Sequence, residues 1–241
     1  MTDSGMPEAA ASERSRHYQR ARQDRGAETR QRLIAAALDI FGRQGFEAAS
    51  TREIARSAGA NLAAIVYHFG SKEGLHLAVA EHVTGEIGRR IGVTIGDALH
   101  ALSQGNPDKI MARRLLQQIT EAHLEAMLST RDAENWARFV VREQMEPSPV
   151  LDVIVGFMAP VHAVLRRLVG ILTDSDPDSD ETGLRVFTLI GQMQIFRVAQ
   201  PLVLRIMGRD EIGPADRHSI MRVINANIDR IVGVTAEAAK S

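Results

Sequence analysis

The 241-residue sequence contains no cysteine, and aromatic residues make up only 4% of it, with a single tryptophan. The absence of cysteine excludes disulfides, thiolate metal sites and cysteine nucleophiles. Because aromatic residues are scarce, the core must consist mainly of Leu, Ile, Val, Ala and Met, most of which form helices well. Hydrophobic residues account for 44% and charged residues for 24% of the chain, which is typical of globular proteins. This composition favours an all-helical protein.

The sequence also lacks the segments that direct export or membrane insertion. Residues 1–12 are small and polar, without the apolar stretch of a signal peptide. No uninterrupted apolar run approaches the roughly 18 residues that a membrane span requires. We therefore expect a cytoplasmic protein without a membrane partner.

Charge is distributed unevenly along a chain whose net charge is only -1. Seven arginines lie between Arg14 and Arg32, and only Asp24 and Glu28 oppose them. A basic end on a neutral chain indicates an anionic partner at that end, although a solvated arm has the same composition. Residues 1–26 show no apolar period, so we predict that they form a disordered basic arm.

The rest of the chain has apolar residues at helical spacing, and its breaks contain Gly, Pro, Asn and Asp. Glycines at 88, 92 and 96 would permit close helix packing, but they favour a weak or broken helix at that place. Helices are predicted over residues 27–45, 50–58, 62–69, 72 to beyond 82, 107–129, 133–146, 149–173, 181–208 and 214–234.

The most informative stretch is residues 50–75, STREIARSAGANLAAIVYHFGSKEGL. Two short helices joined by a tight turn at Gly59 form a helix-turn-helix, whose second helix enters the major groove of DNA. Ser50 and Glu53 have the spacing of a capping box, and Asn61 is suited to cap the second helix. Ordinary helical pairs share these features, so spacing alone leaves a purely structural role open.

Residues 29–75 resemble the DNA-binding domain of TetR/AcrR-type regulators, through AAALDIFGRQGFEAAS, TREIARSAG and YHFGSKEGL. NLAAIVYHFG, ARFVVREQMEPSP and GQMQIFRVAQPLVLRIMG also resemble the CecR-like subgroup, which has a CerR-type C-terminal domain. The resemblance implies an all-α protein with a three-helix DNA-binding domain over residues 27–75. It further implies a helical effector-binding and dimerisation domain over residues 76–241.

The resemblance assigns contacts with double-stranded operator DNA to ten residues. Ser50 would cap the first motif helix and contact phosphate, and Arg52 would reach a guanine edge. Tyr67, His68 and Lys72 would bind phosphates and set the register on the duplex, with a core position for Tyr67 and local capping or packing for His68 as the alternatives. The complete set is Ser50, Thr51, Arg52, Asn61, Leu62, Ala64, Val66, Tyr67, His68 and Lys72.

Three of these residues depart from the pattern of many relatives, which have polar or aromatic side chains at the same places. Leu62, Ala64 and Val66 are apolar here, so they could contact thymine methyl groups or no base at all. Asn61 opens the recognition helix, where its amide can cap the helix or read a base. The sequence therefore leaves the operator undetermined.

The second domain is expected to enclose a largely apolar pocket for a small-molecule effector of apolar or drug-like character. Helices 107–129, 133–146, 149–173 and 181–200 would surround it, with Val140, Met158 and Val161 in its walls. Ordinary core residues show the same spacing, so a filled core is the alternative. The candidate ligand-binding residues are Trp136, Phe139, Arg142, Glu143, Phe157, His162, Gln192, Met193, Phe196 and Arg197.

The resemblance also implies a homodimer in which the last two helices pair with those of a second copy. Two-fold symmetry of the protein then implies a palindromic operator. The candidate interface residues are Leu184, Phe187, Ile190, Gly191, Gln194, Ile220, Val223, Ile224, Ile228 and Ile231.

Signatures of enzymes are missing, since the sequence has no G-x-S-x-G, no P-loop and no H-E-x-x-H motif. The eight histidines are scattered without the spacing of a helical metal site. We therefore expect no catalytic residue, no metal and no cofactor. The sequence predicts a ligand-responsive DNA-binding transcriptional regulator, with a repressor favoured by resemblance. The alternative is a DNA-binding protein of the same fold that recruits a protein partner and senses no ligand.

Overall fold

The computed structural model of the protein describes residues 7–128 and 132–232, with side chains from Asp24 onward. Every regular element in these ranges is an α-helix, which confirms the predicted all-α class. The chain divides into two compact units between Val79 and Ala80. In chain order the helices are α1 (Pro7–Gln44), α2 (Thr51–Ser57), α3 (Leu62–Phe69), α4 (Lys72–Ser103), α5 (Lys109–Leu128), α6 (Asp132–Met145), α7 (Leu151–Thr173), α8 (Asp180–Val198), α9 (Gln200–Met207) and α10 (Pro214–Ile231).

In the first unit, α1 provides most of the core. Its Leu33, Ala37 and Phe41 are spaced four residues apart and are fully buried. Ile54 of α2 and Ile65 of α3 are buried as well. Because α2 has seven residues and α3 has eight, neither is long enough to be stable alone. Burial of these apolar side chains is therefore what holds the two short helices in place.

Helix α1 begins at Pro7, so the prediction of a disordered arm over residues 1–26 is wrong for residues 7–26. The segment is rich in Ala, Glu, Gln and Arg, which are strong helix formers, and its proline is at the helix start. Helix propensity thus extends α1 without the apolar period on which the prediction relied. Residues 1–6 lie outside the described residues.

The core of the second unit forms where α5, α7, α8 and α10 meet. Leu116, Leu168, Leu189 and Ile224, one from each helix, are almost completely buried. Helix α6 packs against α5, α7 and α8 at one side of this core. The packing of α6 against these helices leaves a cavity within the unit.

Two arginines connect elements of the second unit through hydrogen bonds. The guanidinium of Arg113 donates two hydrogen bonds to the carboxylate of Asp229, at 2.7 and 2.6 Å, and so joins α5 to α10. Arg166 donates to the carbonyl oxygens of Pro177 and Ser179, at 2.6 and 2.9 Å, and so holds the loop between α7 and α8. The first contact holds α5 and the second holds α7 and the start of α8, and all three helices line the cavity.

Helix α4 continues through all three glycines that predicted a weak or broken helix, so that prediction is wrong. A Cβ atom on Gly88 would lie 3.2 Å from the ring of Phe157, which shows that α7 packs closely there. A Cβ atom on Gly92 or Gly96 would meet no neighbouring atom within 4 Å. Packing of the helix around Gly88 offsets the lower helix propensity of glycine.

The single helix predicted over residues 181–208 is two helices, α8 and α9, which meet at Ala199. Pro201 lies in the first turn of α9. A proline has no amide hydrogen to donate to the carbonyl oxygen of Arg197, four residues earlier. The helical hydrogen bonding is therefore interrupted, and a new helix begins.

Helix α7 is long and apolar enough to cross a membrane by length and composition alone. In the structure its Ile154, Leu165, Leu168 and Leu172 are buried against the other helices of the second unit. Core helices of globular proteins pass the same test. About 33% of the apolar window of α7 is buried, so core packing accounts for part of its composition.

Candidate DNA-binding surface and effector cavity

The turn between α2 and α3 depends on Gly59, whose φ angle is +60°. In this left-handed conformation the amide of Gly59 donates to the carbonyl oxygen of Arg56, and the amide of Ala60 donates to that of Ala55. Residues with a Cβ atom are strained at such a φ angle. Glycine therefore ends α2 and lets α3 begin only three residues later.

The predicted cap of α3 is confirmed. The side-chain oxygen of Asn61 accepts a hydrogen bond from the amide of Ala64 at 2.8 Å. At the start of α4, Ser71 Oγ likewise accepts from the amide of Gly74 at 3.1 Å. Because the cap uses only the oxygen of Asn61, the two hydrogens of its amide group remain available to DNA.

The predicted capping box at the start of α2 is wrong. Ser50 has the extended backbone of a cap residue, but its side chain makes no cap hydrogen bond. The carboxylate of Glu53 instead accepts a hydrogen bond from Gln44 Nε2 of α1 at 3.1 Å. The packing of α2 against α1 thus draws Glu53 away, and the exposed Ser50 hydroxyl remains available to a phosphate.

Helix α3 presents one continuous exposed face. It consists of Leu62, Ala63, Val66 and Tyr67, of which Val66 is 62% and Tyr67 is 79% exposed. Apart from the Tyr67 hydroxyl this face is apolar, so it offers methyl groups rather than hydrogen-bond donors to a DNA groove. The sequence analysis assigned Ala63 no contact, whereas the structure exposes it and half-buries Ala64.

Helix α2 adds positive charge beside α3. Arg52 is exposed in the first turn, and Thr51 next to it is half-buried. Arg56 is exposed one turn later, on the same side of α2 as Arg52, because residues four apart share a helix face. Arg56 was missing from the predicted set, although its i, i+4 spacing from Arg52 was a usable signal.

Lys72, at the start of α4, is engaged with the loop before α2. Its Nζ donates to the carbonyl oxygen of Glu47 at 3.2 Å and lies 4.5 Å from the centre of the Phe46 ring. An ammonium group has three hydrogens, so two remain for a phosphate oxygen. Lys72 therefore has a structural contact as well as the charge that the sequence analysis assigned to DNA.

His68 lies beside α1 rather than on the exposed face of α3. A Cβ atom on Gly26 would be 3.9 Å from its Cε1 atom, and the ring centre is 4.9 Å from that of Tyr67. The half-buried His68 supports the orientation of the Tyr67 ring. A direct phosphate contact is thus better suited to Tyr67 than to His68.

The second unit contains a cavity of about 120 Å³ between α4, α5, α6, α7 and α8. Its walls are mostly aliphatic, with Trp136 as the one aromatic side chain among the residues that line it. Four lining residues are polar, namely Thr120, His123, Gln144 and Gln194. The Thr120 hydroxyl bonds to backbone carbonyl oxygens of its own helix. An apolar cavity with few polar groups is typical of a small-molecule site.

Two of the ten predicted ligand-binding residues, Trp136 and Met193, line this cavity. Val140, Met158 and Val161, which were predicted beside them, line it as well. The other eight do not belong to the lining of this cavity, so their assignment remains a prediction: Phe139, Arg142, Glu143, Phe157, His162, Gln192, Phe196 and Arg197.

Helix register explains why three of these eight, all on α6, lie elsewhere. The residues of α6 that line the cavity are 133, 136, 137, 140, 141 and 144, which share one face of the helix. Phe139 and Glu143 lie on another face, where Phe139 is buried and Glu143 accepts a hydrogen bond from Ser148 Oγ at 2.6 Å. Arg142 pairs with Glu146 one turn later.

On α7 and α8 the remaining residues have other neighbours. Gln192 accepts a hydrogen bond from Asn227 of α10 at 3.1 Å, and the ring of His162 lies 4.9 Å from that of Phe187. Phe157 packs at Gly88, and Phe196 packs against the hydrophobic core. Arg197 donates a hydrogen bond to the side chain of Gln200 at 2.9 Å. These residue types are common in ligand pockets, but their positions along α7 and α8 do not bring them into the lining of the cavity.

His123 of α5 is the cavity residue that the sequence analysis missed. Its Nε2 atom is buried and has no hydrogen-bond partner among the described residues. Burial lowers the pKa of its imidazole to about 4. The available signal was a histidine within the apolar stripe of α5, four residues after Ile119 and four before Met127.

In residues 7–128 and 132–232, no three His, Asp or Glu side chains are grouped as a metal site would require. His123 is also the one ionisable side chain among the described residues that line the cavity. The lining therefore has one group that can exchange a proton and no Lys, Arg, Asp or Glu side chain.

A helix-turn-helix with an exposed recognition helix, followed by a helical unit with an apolar cavity, defines a DNA-binding transcriptional regulator. Residues 33–79 match the family described as bacterial regulatory proteins, tetR family. Residues 112–234 match the family described as HTH-type transcriptional dual regulator CecR, C-terminal domain. The chain belongs to the TetR family, and its second unit carries the CecR-type C-terminal domain.

Named relatives agree with this family assignment. The chain is 32% identical over 209 residues to the HTH-type transcriptional dual regulator CecR of Shigella flexneri, which covers 86% of this chain and 93% of that protein. It is 38% identical over 55 residues to the HTH-type transcriptional repressor NicS of Pseudomonas putida, which covers 23% and 26% of the two chains. These relatives confirm the prediction of a DNA-binding regulator rather than an enzyme.

Solved structures show the same fold. A putative transcriptional regulator from Pseudomonas aeruginosa PAO1 superposes with a TM-score of 0.60 at 20% identity, over 85% of this chain and 90% of that one. At this level of identity the likeness concerns the fold alone.

Proposed function

We propose that the protein is a ligand-responsive repressor that binds a palindromic operator as a homodimer and is released by a small apolar molecule. Residues 27–75 would bind DNA, and residues 76–241 would bind the effector and the second copy. The observation that carries the proposal is the apolar cavity in the second unit, because close-packed protein interiors contain few voids large enough to hold a molecule. A cytoplasmic location follows from this role.

The exposed residues of α2 and α3 support DNA binding. Arg52 and Arg56 provide positive charge, Asn61 offers amide hydrogens, and Val66 and Tyr67 form the centre of the exposed α3 face. Phosphate contacts position a protein on the duplex, and groove contacts select the sequence. The shortage of hydrogen-bonding groups on α3 suggests that thymine methyl groups and Arg52 carry most of the base selection.

The outer face of α8 supports dimerisation. Leu184 is 65% and Phe187 is 62% exposed, and Gly191, Ile195 and Val198 continue the same stripe. A stripe of exposed apolar residues along one helix is typical of a helix that pairs with a partner. Pairing of α8 with a second copy would remove this stripe from water.

Other residues in the predicted interface belong to the protomer itself. Ile190, Ile220, Ile224 and Ile228 are buried in its own core, which corrects their assignment to an interface. Gln194 lines the cavity, and Ile231 packs against the core. Val223 of α10 is exposed and stays a candidate for the interface.

Release from DNA requires an effector that distinguishes two conformations. A ligand shifts an equilibrium only by its difference in affinity for the two states. Coupling of this kind is typically about 1–3 kcal/mol and is reciprocal. In the proposed mechanism, the ligand-bound dimer no longer holds its recognition helices at the spacing of successive major grooves. Operator DNA must then weaken ligand binding by the factor by which ligand weakens operator binding.

The first experiment is to select the operator from a random duplex library with the full chain. A compound that stabilises the protein against heat is then identified, and its affinity is measured with and without operator. A palindromic consensus and a lower ligand affinity on operator are expected. Equal ligand affinities in the two cases would contradict ligand-responsive release and leave DNA binding intact.

Recruitment of a protein partner without ligand sensing remains the second candidate. It is favoured by α9, on which Leu202, Ile206 and Met207 are exposed. The cavity volume of about 120 Å³ is also below that of typical drug-sized sites. Under this alternative, variants with a filled cavity would regulate normally, whereas substitution of Ile206 by a charged residue would abolish regulation.

A further inference from the structure

We propose that His123 selects the effector, so that the cavity binds a small, neutral, mostly apolar molecule whose single hydrogen-bonding group pairs with His123 Nε2. A simple phenol is a molecule of this class. The inference rests on the proposed ligand-binding role of the second unit and specifies the chemistry of its ligand.

The hydrogen bonding of the cavity residues points to His123. Its Nε2 is buried without a partner among the described residues, although it lines the cavity. A buried polar group without a partner is costly, and native proteins rarely retain one without a reason. The Thr120 hydroxyl, one turn earlier, already bonds to the carbonyl oxygens of Leu116 and Gln117. A ligand therefore gains more from pairing with His123 than with Thr120.

The size of the cavity limits the ligand. Its volume of about 120 Å³ is close to that of an engineered protein cavity of about 150 Å³ that binds benzene. A single substituted aromatic ring therefore fits, whereas a drug of several rings would require the helices to move apart.

The charge of the cavity limits the ligand as well. No Lys, Arg, Asp or Glu is among the residues that line it. A buried charge without a partner is far more costly than a buried hydroxyl. Burial also lowers the pKa of His123, so the imidazole is neutral at physiological pH and provides no positive charge for an anion. A neutral imidazole nitrogen can instead accept the proton of a phenol hydroxyl in a hydrogen bond.

The test compares three probes of similar size, namely phenol, toluene and benzoate, by calorimetry on the full-length protein. Phenol is expected to bind roughly tenfold more tightly than toluene, as one buried hydrogen bond allows, and benzoate is expected to bind least. In His123→Leu, phenol and toluene should bind equally. This variant replaces an unpaired polar group with an apolar one of similar size, so folding is expected to be retained.

Thr120→Val is the matched control, because it alters a polar cavity residue whose hydroxyl is already paired. It should preserve the preference for phenol over toluene. The inference is overturned if wild type binds none of the probes, if it binds toluene as tightly as phenol, or if His123→Leu keeps the preference. Operator affinity with bound phenol is measured separately. If phenol binds through His123 but leaves operator affinity unchanged, the proposed release mechanism fails while the assignment of His123 holds.

Discussion

A Cβ atom on Gly74 would lie 2.0 Å from the carbonyl oxygen of Phe69. This close approach brings the first turn of α4 against the last residue of α3, the recognition helix. The contact is with backbone, which cannot move aside as a flexible side chain can. It explains in physical terms why the segment YHFGSKEGL has glycine near its end, where a helix former would otherwise be favourable.

Gly74→Ala should therefore destabilise the first unit and weaken operator binding. Overpacking of this kind typically costs about 1–3 kcal/mol, because backbone has to shift. Denaturant unfolding of the full chain measures the loss. Gly92→Ala is the matched control in the same helix, since a Cβ atom there meets open space. That substitution should stabilise the protein by about 0.5–1 kcal/mol. Equal effects of the two substitutions would show that the contact with Phe69 is unimportant.

Arg52 and Lys72 should affect DNA binding in different ways. Arg52→Ala is expected to cost roughly 1–3 kcal/mol and to relax the base preference at one operator position. Lys72→Ala should weaken all duplexes alike and reduce the salt dependence by about one counterion. Titrations at several salt concentrations distinguish the two. Because Lys72 also contacts Glu47, unfolding of each variant must be measured beside binding.

The contrast between the two sites shows what the sequence could predict. Local features of the helix-turn-helix, such as the Asn61 cap and the Gly59 turn, follow from residue chemistry within a few positions, and the structure has both. The cavity depends on which face of α6 and α8 turns inward. On α6 the neighbouring residues Val140 and Phe139 are both apolar and were both predicted for the pocket, but only Val140 lies on the face that lines the cavity. Composition predicted an apolar pocket, but only long-range packing determines its lining.

His123 and Glu53 illustrate the same limit on prediction. A capping box is a local pattern, yet contact with Gln44 of α1 draws Glu53 elsewhere. A lone histidine on an apolar helix stripe is most often a core residue. Its unpaired Nε2 is evident only once the neighbouring helices are in place.

The apolar face of α3 predicts that the operator is read through thymine methyl groups. Replacing a contacted thymine by deoxyuridine removes one methyl group and should cost about 0.8 kcal/mol in binding free energy. Val66→Ala should lose a similar amount. The two changes together should cost less than their sum, because they remove the same contact. Deoxyuridine outside the selected operator is the control, and strict additivity at every thymine would refute contact through Val66.

Dimerisation should depend on the α8 stripe. Gly191→Arg places a long charged side chain between Phe187 and Ile195, where the protomer itself has open space. The variant should fold, sediment as a monomer at micromolar concentration and lose operator affinity. Gly156→Arg on α7 is the matched control, because that glycine also has open space beside it. Dimers that persist in Gly191→Arg would place the interface on another surface.

Stability should fall in mild acid because His123 is buried in its neutral form. Its pKa is about 4 in the folded protein against 6.5 in the unfolded chain, so the unfolded chain binds more protons between these values. The stabilisation is complete above pH 6.5 and is lost as the pH falls towards 4, by about 3 kcal/mol in total. Burial and nearby Arg166 also lower the pKa of His162, so wild type alone does not isolate one group. The measurement is therefore the difference in unfolding free energy between wild type and His123→Leu at pH 7 and pH 4. That difference should shift by about 3 kcal/mol in favour of the variant at the lower pH, and a constant difference would mean that His123 is solvated when the protein is folded.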